Sequence, residues 1–293
     1  MTEMRLSPPD SLVQGEVRSV TIQSEWKNIE LAVPAGRRMF SVFRGSRPVH
    51  RSDRHVNFDS FLLDKAVEEG STLITGEVHG IQSGSGGELV VSFTTGDGTS
   101  RRYHALPAAF LAFAGGVNER PGAHPRESRL GGSLRQLMPG FRPPVVRKAL
   151  IFELEADPAS VNLLKGEVCF IDYGSRNLQI EMSSLLPKEQ FITGVLIGRT
   201  IDQAEPMEYQ DIVRTFMDLP HIRRLVPRMP ELPTACICSP NMTVGTASQP
   251  YGDRVAVIGD LAVSRLYKDG IYSAYVTAGG LADAVLSAGI DRE

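Results

Sequence analysis

The sequence predicts an α/β (α+β) chain in which two domains interleave, one of them built on an antiparallel sheet. Three observations predict it. Residues 57–70 carry a helical apolar stripe that ends in glycine, and a strand-like run follows. Residues 147–197 hold a series of short apolar runs separated by turn residues. Finally, 251–260 reads as a turn and a buried strand that stops at Gly259-Asp260, after which Asp269-Gly270 opens a helix. This last layout is that of a cofactor-contacting edge in an α/β sheet.

The bulk properties narrow the function classes. A chain of 293 residues has room for two modest cores, and 42% hydrophobic with 22% charged residues is an ordinary globular balance. A formal net charge of -3 gives the chain no electrostatic reason to seek nucleic acid, and aromatics for base stacking are sparse beside the arginines of 118–148. No apolar run reaches the ~20 residues of a membrane span, so no transmembrane segment is expected. The start has no signal-peptide core, and three cysteines fit a reducing compartment, so a cytoplasmic location is expected. Cys236-Ile237-Cys238 has no second pair, and the six histidines have no ligand spacing; packing rather than metal binding is the reading for the cysteines.

Taken in order, 17–22, 28–33 and 39–43 read as strands of an antiparallel sheet. The basic segment 44–55 is a solvated loop or, more sharply, one that faces a phosphate. The clearest helix is 57–70, with Asn57 as its N-cap, Phe58, Phe61, Leu62 and Ala66 on its apolar face, and Gly70 ending it. A strand over 71–81 then makes helix, glycine and strand into a crossover element. Residues 72–104 look like a small meander whose Gly84-Ser85-Gly86-Gly87 is a hairpin turn and not a phosphate loop, because no helix follows. Residues 118–144 read as a long connection rich in Gly, Pro and Arg. Strands over 147–155, 166–173, 178–183 and 191–197 suggest a sheet of about four. Helices are expected over 208–219 and from near Gly270 to Ser287.

Asn57-Phe58-Asp59-Ser60-Phe61-Leu62-Leu63, Ala114-Gly115-Gly116-Val117-Asn118, and Gly259-Asp260 with Lys268-Asp269-Gly270-Ile271 occur in this order and spacing. Together they resemble the geranylgeranyl reductase-like branch of FAD-dependent oxidoreductases, flavoproteins with the p-hydroxybenzoate hydroxylase fold. The resemblance covers about residues 5–290. It implies a partial FAD-binding, Rossmann-like domain over 52–118 and 245–290, interleaved with a β-rich substrate-binding domain over 1–51 and 119–244. It also implies that Gly259, Asp260, Asp269, Gly270 and Ile271 contact FAD: Asp260 accepts from the ribityl or pyrophosphate region, and the helix opened by Gly270 points its N-terminus at the flavin. Catalytic residues are not identified; Tyr267 and Lys268 stand beside Gly270.

Departures from the family pattern are informative. Arg265, Tyr267 and Lys268 replace small residues; Met182 and Ser184 stand where archaeal prenyl reductases carry tunnel aromatics, with Leu186 before Pro187-Lys188. Prenyl chemistry is therefore not expected. The strand, Gly-x-Gly-x-x-Gly and helix with which the family begins have no counterpart, so a truncated or split gene is expected, with a separately encoded N-terminal FAD-binding segment as partner. The implied function is hydride transfer from NAD(P)H through FAD to a C=C bond of a small apolar organic substrate, or O2-dependent hydroxylation. The alternative is a non-catalytic remnant that binds a small apolar ligand without FAD.

Overall fold

The computed structural model describes residues 6, 8–24, 26–42, 44, 57–96, 100–117, 129–171, 178–265 and 270–290. In chain order, β1 (Gly15–Val17), β2 (Ser19–Gln23), β3 (Asn28–Ala32) and β4 (Met39–Ser41) precede α1 (Phe58–Glu68). Four strands follow: β5 (Glu77–Ser83), β6 (Leu89–Thr95), β7 (Arg102–Ala108) and β8 (Leu111–Phe113). Next come α2 (Arg129–Leu137), β9 (Val145–Lys148), β10 (Leu150–Glu155), α3 (Pro158–Asn162), β11 (Glu167–Ile171), β12 (Met182–Lys188) and β13 (Phe191–Ile197). Helices α4 (Arg199–Gln203), α5 (Tyr209–Met217) and α6 (Pro220–Leu225) lead to β14 (Thr234–Cys238) and β15 (Asn241–Thr246). The chain closes with β16 (Tyr251–Gly252), β17 (Val255–Val257), β18 (Val263–Ser264) and α7 (Gly270–Ala288). The architecture is mixed α/β with antiparallel and mixed sheets, as expected.

The chain divides into two compact units, 1–72 with 148–240 and 73–147 with 241–293. In the first, a seven-stranded sheet runs β14-β10-β13-β12-β11-β2-β3, antiparallel except for the parallel pair β11–β2. Alternation along β10 sends Leu150, Phe152 and Leu154 into a core shared with Ile192 and Leu196 of β13 and with Ile201, Ile212, Phe216 and Ile222 of α4 to α6. Phe152 lies across the register from Gly194, where any Cβ would overlap the aromatic ring. That glycine is therefore required by packing. Phe58 and Phe61 of α1 form a smaller cluster with Leu12. Asn57 caps the helix, its Oδ1 accepting from the N–H of Asp59 at 2.8 Å and of Ser60 at 3.1 Å, and Gly70 follows in the left-handed region at φ 99°.

The second unit holds three three-stranded sheets, β18-β15-β9, β16-β17-β8 and β5-β6-β7. Val255, Val257, Leu261 and Phe113 pack with Leu134, Met138 and Phe141. Helix α2 lies on β5, where Ser133 Oγ accepts from the Ile81 N–H at 3.0 Å.

Several expectations are corrected. The strand expected over 71–81 begins at Glu77 and pairs antiparallel with β6 through the turn ending at Gly87, so helix, glycine and strand do not make a parallel crossover. The sheet of about four strands has seven, because β2 and β3 join at β11 and β14 joins at β10. The strand expected over 178–183 runs from Met182 to Lys188. The connection 118–144 contains α2, which Gly131-Gly132 conceals; Leu130, Leu134, Leu137 and Met138 pack at helical spacing. Most of the basic segment 44–55 lies outside the described residues; Arg44 Nε donates to Asp59 Oδ1 at 3.0 Å.

Candidate functional site

The site that the sequence singles out forms at the end of β17. This strand lies parallel to β8, pairing Val255 with Leu111 and Val257 with Phe113. The Ile258 N–H donates to the Phe113 carbonyl at 2.9 Å, the last bond before the chain turns. Gly259 makes that turn at φ 67°, a conformation glycine adopts without steric cost, and its N–H donates to Thr277 Oγ1 at 2.7 Å. A 3₁₀ turn over Gly259–Leu261 then carries Asp260. Thr243 Oγ1 donates to the Asp260 carbonyl at 2.7 Å and fixes the turn from β15.

The Asp260 carboxylate reaches the N-terminus of α7. Its Oδ1 accepts from Ser273 Oγ at 3.2 Å. A Cβ built on Gly270 would lie 3.0 Å from Oδ2 and 3.2 Å from Oδ1, so the absent side chain makes room for the carboxylate. Negative charge at this end of a helix is favoured by the macrodipole and by its unpaired N–H groups. Oδ2 accepts from no described residue and keeps capacity for a hydroxyl or N–H donor.

Of the expected contacts, Gly259, Asp260 and Gly270 therefore come together. Ile271 follows Gly270 on α7 and is 43% exposed. Asp269 lies outside the described residues, as do Tyr267 and Lys268. The Arg265 guanidinium stands 5.7 Å from the centroid of the Tyr272 ring.

Two surfaces adjoin this site. Helix α7 is apolar on nearly every side, yet of its residues only Ser273 is buried; Tyr272, Val276 and Leu286 stand open, the last at 85%. A helix with this composition normally lies inside a protein. Strand β8 ends its sheet, and among the described residues no strand pairs with its outer edge.

The other unit holds a buried ionic cluster that sequence reasoning missed. Glu153 Oε1 accepts from Lys188 Nζ at 3.2 Å and from Thr193 Oγ1 at 3.3 Å, while the Cys236 thiol lies 3.9 Å from Oε2. Glu153 is fully buried and Lys188 nearly so. The signal was present in β10, where a glutamate interrupts Leu150-Ile151-Phe152 and Leu154 in a strand otherwise built for burial. Cys236 and Cys238 lie on β14, and neither is in a disulfide. Ser183 and Ser184 are also fully buried on β12, and their hydroxyls have no hydrogen-bond partner among the described residues.

Among the described residues, no group of three or more His, Cys, Asp or Glu is placed to hold a metal, and no helix is long and apolar enough to cross a membrane.

No protein-family model and no curated protein matches the sequence. Solved structures do match in fold. A flavoprotein/dehydrogenase from Cytophaga hutchinsonii is 14% identical, with a TM-score of 0.61 over 92% of this chain and 62% of its own. A flavin-dependent brominase is 18% identical, with a TM-score of 0.63 over 95% of this chain and 64% of its own. Aklavinone-11 hydroxylase, solved with FAD and aklavinone, is 14% identical, with a TM-score of 0.60 over 97% of this chain and 52% of its own. The chain thus has the fold of part of these flavoproteins and spans less than two thirds of their length.

Proposed function

We propose that the chain forms the flavin-facing part of an FAD-dependent oxidoreductase acting on a small apolar organic substrate. The observation that carries this reading is the junction of Gly259, Asp260 and Gly270. A left-handed glycine lets the backbone approach a ligand closely, and the carboxylate beside it has one oxygen without a partner among the described residues. Gly270 leaves the helix N-terminus uncovered by any side chain of its own. These residues fit the ribityl and ring end of FAD: Asp260 would accept from a ribityl hydroxyl, and the N-terminus of α7 would face the electron-rich edge of the ring system. FAD, when bound, supplies hydride chemistry between NAD(P)H and a C=C bond, or O2-dependent hydroxylation. The fold shared with a brominase and a hydroxylase supports the cofactor class and favours oxidation of an organic substrate over prenyl reduction.

The described residues hold no glycine-rich cradle for a pyrophosphate. In this reading a separately encoded segment, a strand that pairs with the outer edge of β8 and a helix that covers α7, supplies it and removes the exposed apolar surface from water. Residues 52–118 and 245–290 then serve the cofactor, and 1–51 and 119–244 the substrate; this is a division of roles and differs from the two compact units.

The test is a titration of the purified chain with FAD and with riboflavin. Because the chain contacts the flavin end alone, riboflavin is expected to bind within about threefold of FAD, both near ~0.1 mM. Asp260→Ala should weaken each about tenfold. A chain to which neither flavin binds would favour the remnant reading, and tight FAD binding with no affinity for riboflavin would place the contact elsewhere.

A further inference from the structure

A second candidate site lies in the first unit, in a groove of about 400 Å³ between the turn joining β2 to β3 and helix α6. Its lining includes Trp26, Lys27, Asn28, His221 and Arg224. The volume is within the range of small-molecule sites.

The turn is a built structure. The Ser24 N–H donates to the Lys27 carbonyl at 2.9 Å, and Ser24 Oγ accepts from the N–H groups of Trp26 at 3.3 Å and Lys27 at 3.1 Å. These bonds tie the ends of the turn and hold out Trp26, which is 87% exposed. An indole in water without packing partners gains from any flat ring laid on it. On the other wall, Arg223 is engaged by Asp218 at 2.6 Å, whereas Arg224 and Lys27 have no ion-pair partner among the described residues. His221 packs against Phe170 with the ring planes tilted by 59° and the centroids 5.0 Å apart, and burial pushes its imidazole down to about 4, with the Arg224 charge adding to the effect. At neutral pH it is therefore an uncharged wall that does not compete for an anion. Gln23 and Asn28 add amide donors and acceptors.

An exposed aromatic face, two cations without an ion-pair partner among the described residues and amide groups around one concavity make a recognisable set. We propose that the groove between the β2–β3 turn and α6 binds a planar aromatic anion, its ring stacked on Trp26 and its negative group held by Lys27 and Arg224. A nucleoside monophosphate and an aryl carboxylate share this chemistry. The inference is independent of the flavin reading, because none of these residues belongs to the Gly259–Asp260–Gly270 junction.

Trp26 is the only tryptophan in the chain, so its emission reports on this groove alone. Titration with AMP, benzoate and inorganic phosphate is the experiment. AMP or benzoate should change the emission saturably, and whichever binds more tightly identifies the source of the anion. Phosphate, which has no ring, should bind at least about tenfold more weakly. The double variant Lys27→Gln with Arg224→Gln, its fold checked by circular dichroism, should lose about tenfold in affinity, and Trp26→Leu should lose a similar amount by calorimetry. No saturable change up to about 10 mM, phosphate binding as well as AMP, or unaltered affinity in the double variant would each overturn the proposal.

Discussion

Asp260 and Gly270 occupy one another's space: the carboxylate oxygens stand 3.0 and 3.2 Å from where a Cβ on the glycine would be. The glycine opening α7 is thus matched to the acid that ends the β17 segment, ten residues earlier in a different element. Stability and ligand binding should respond differently to breaking this match.

Gly270→Ala adds a methyl at the first turn of a helix, where alanine is the better helix former by roughly 1 kcal/mol. The methyl also pushes on a carboxylate that can rotate away. Thermal unfolding is expected to move by less than the equivalent of about 1 kcal/mol in either direction. Riboflavin affinity, measured by fluorescence quenching, should fall about tenfold because Asp260 leaves its position.

The Glu153–Lys188 pair makes a sharper prediction about stability. Lys188→Met removes the cation and leaves a fully buried carboxylate that has lost its counter-charge, with Thr193 and Cys236 among its neighbours. Urea denaturation should show a loss of about 3–5 kcal/mol. Adding Glu153→Leu should recover most of it, since two apolar side chains of similar volume replace a desolvated ion pair. If the double variant were as unstable as the single one, the loss would come from packing and not from charge.

His221 sets an acid limit. Its imidazole is held down to about 4 by burial first and by Arg224 second, against an ordinary value of 6.5. The unfolded chain therefore binds a proton between those values while the folded chain does not. This contribution to stability is whole above pH 6.5 and declines as pH falls, until it is fully lost near pH 4. Because the ring is only half-buried, solvent screening reduces the expected effect to about 1–2 kcal/mol. Denaturation midpoints at pH 7.5, 5.5 and 4.5 should fall in that order, and His221→Phe should flatten most of the decline.

The exposed apolar face of α7 predicts self-association. Concentration-dependent growth in light scattering is expected for the chain alone. Replacing Tyr272, Val276 and Leu286 together with glutamate should return it to a single small species, as all three side chains stand open to solvent. An equally associated triple variant would exclude α7 as the cause.

Legibility varied by element. Helix α1 was readable from Asn57 to Gly70 because its cap, stripe and stop are all local. Strand β13 was found at its true limits for the same reason, as a continuous apolar run between turn residues. Helix α2 was hidden, since its Gly131-Gly132 lowers local propensity while its Leu134 and Met138 are held by partners distant in sequence. The parallel pairing of β2 with β11 joins residues 147 positions apart, and no periodicity announces it. At the candidate site, Gly259, Asp260 and Gly270 were legible as punctuation around a strand and a helix; Thr243, Ser273 and Thr277, which hold them in place, were not.

By itself the sequence determined the limits of α1 and β13 and the glycine punctuation at the end of β17, because those depend on side chains a few positions apart. Tertiary structure alone decided that Asp260 faces the N-terminus of α7, that Lys188 finds Glu153, and that Phe152 lies over Gly194. Each of these is a contact between segments that meet only when the sheets form, and its energy comes from removing specific groups from water together, which a linear pattern does not encode.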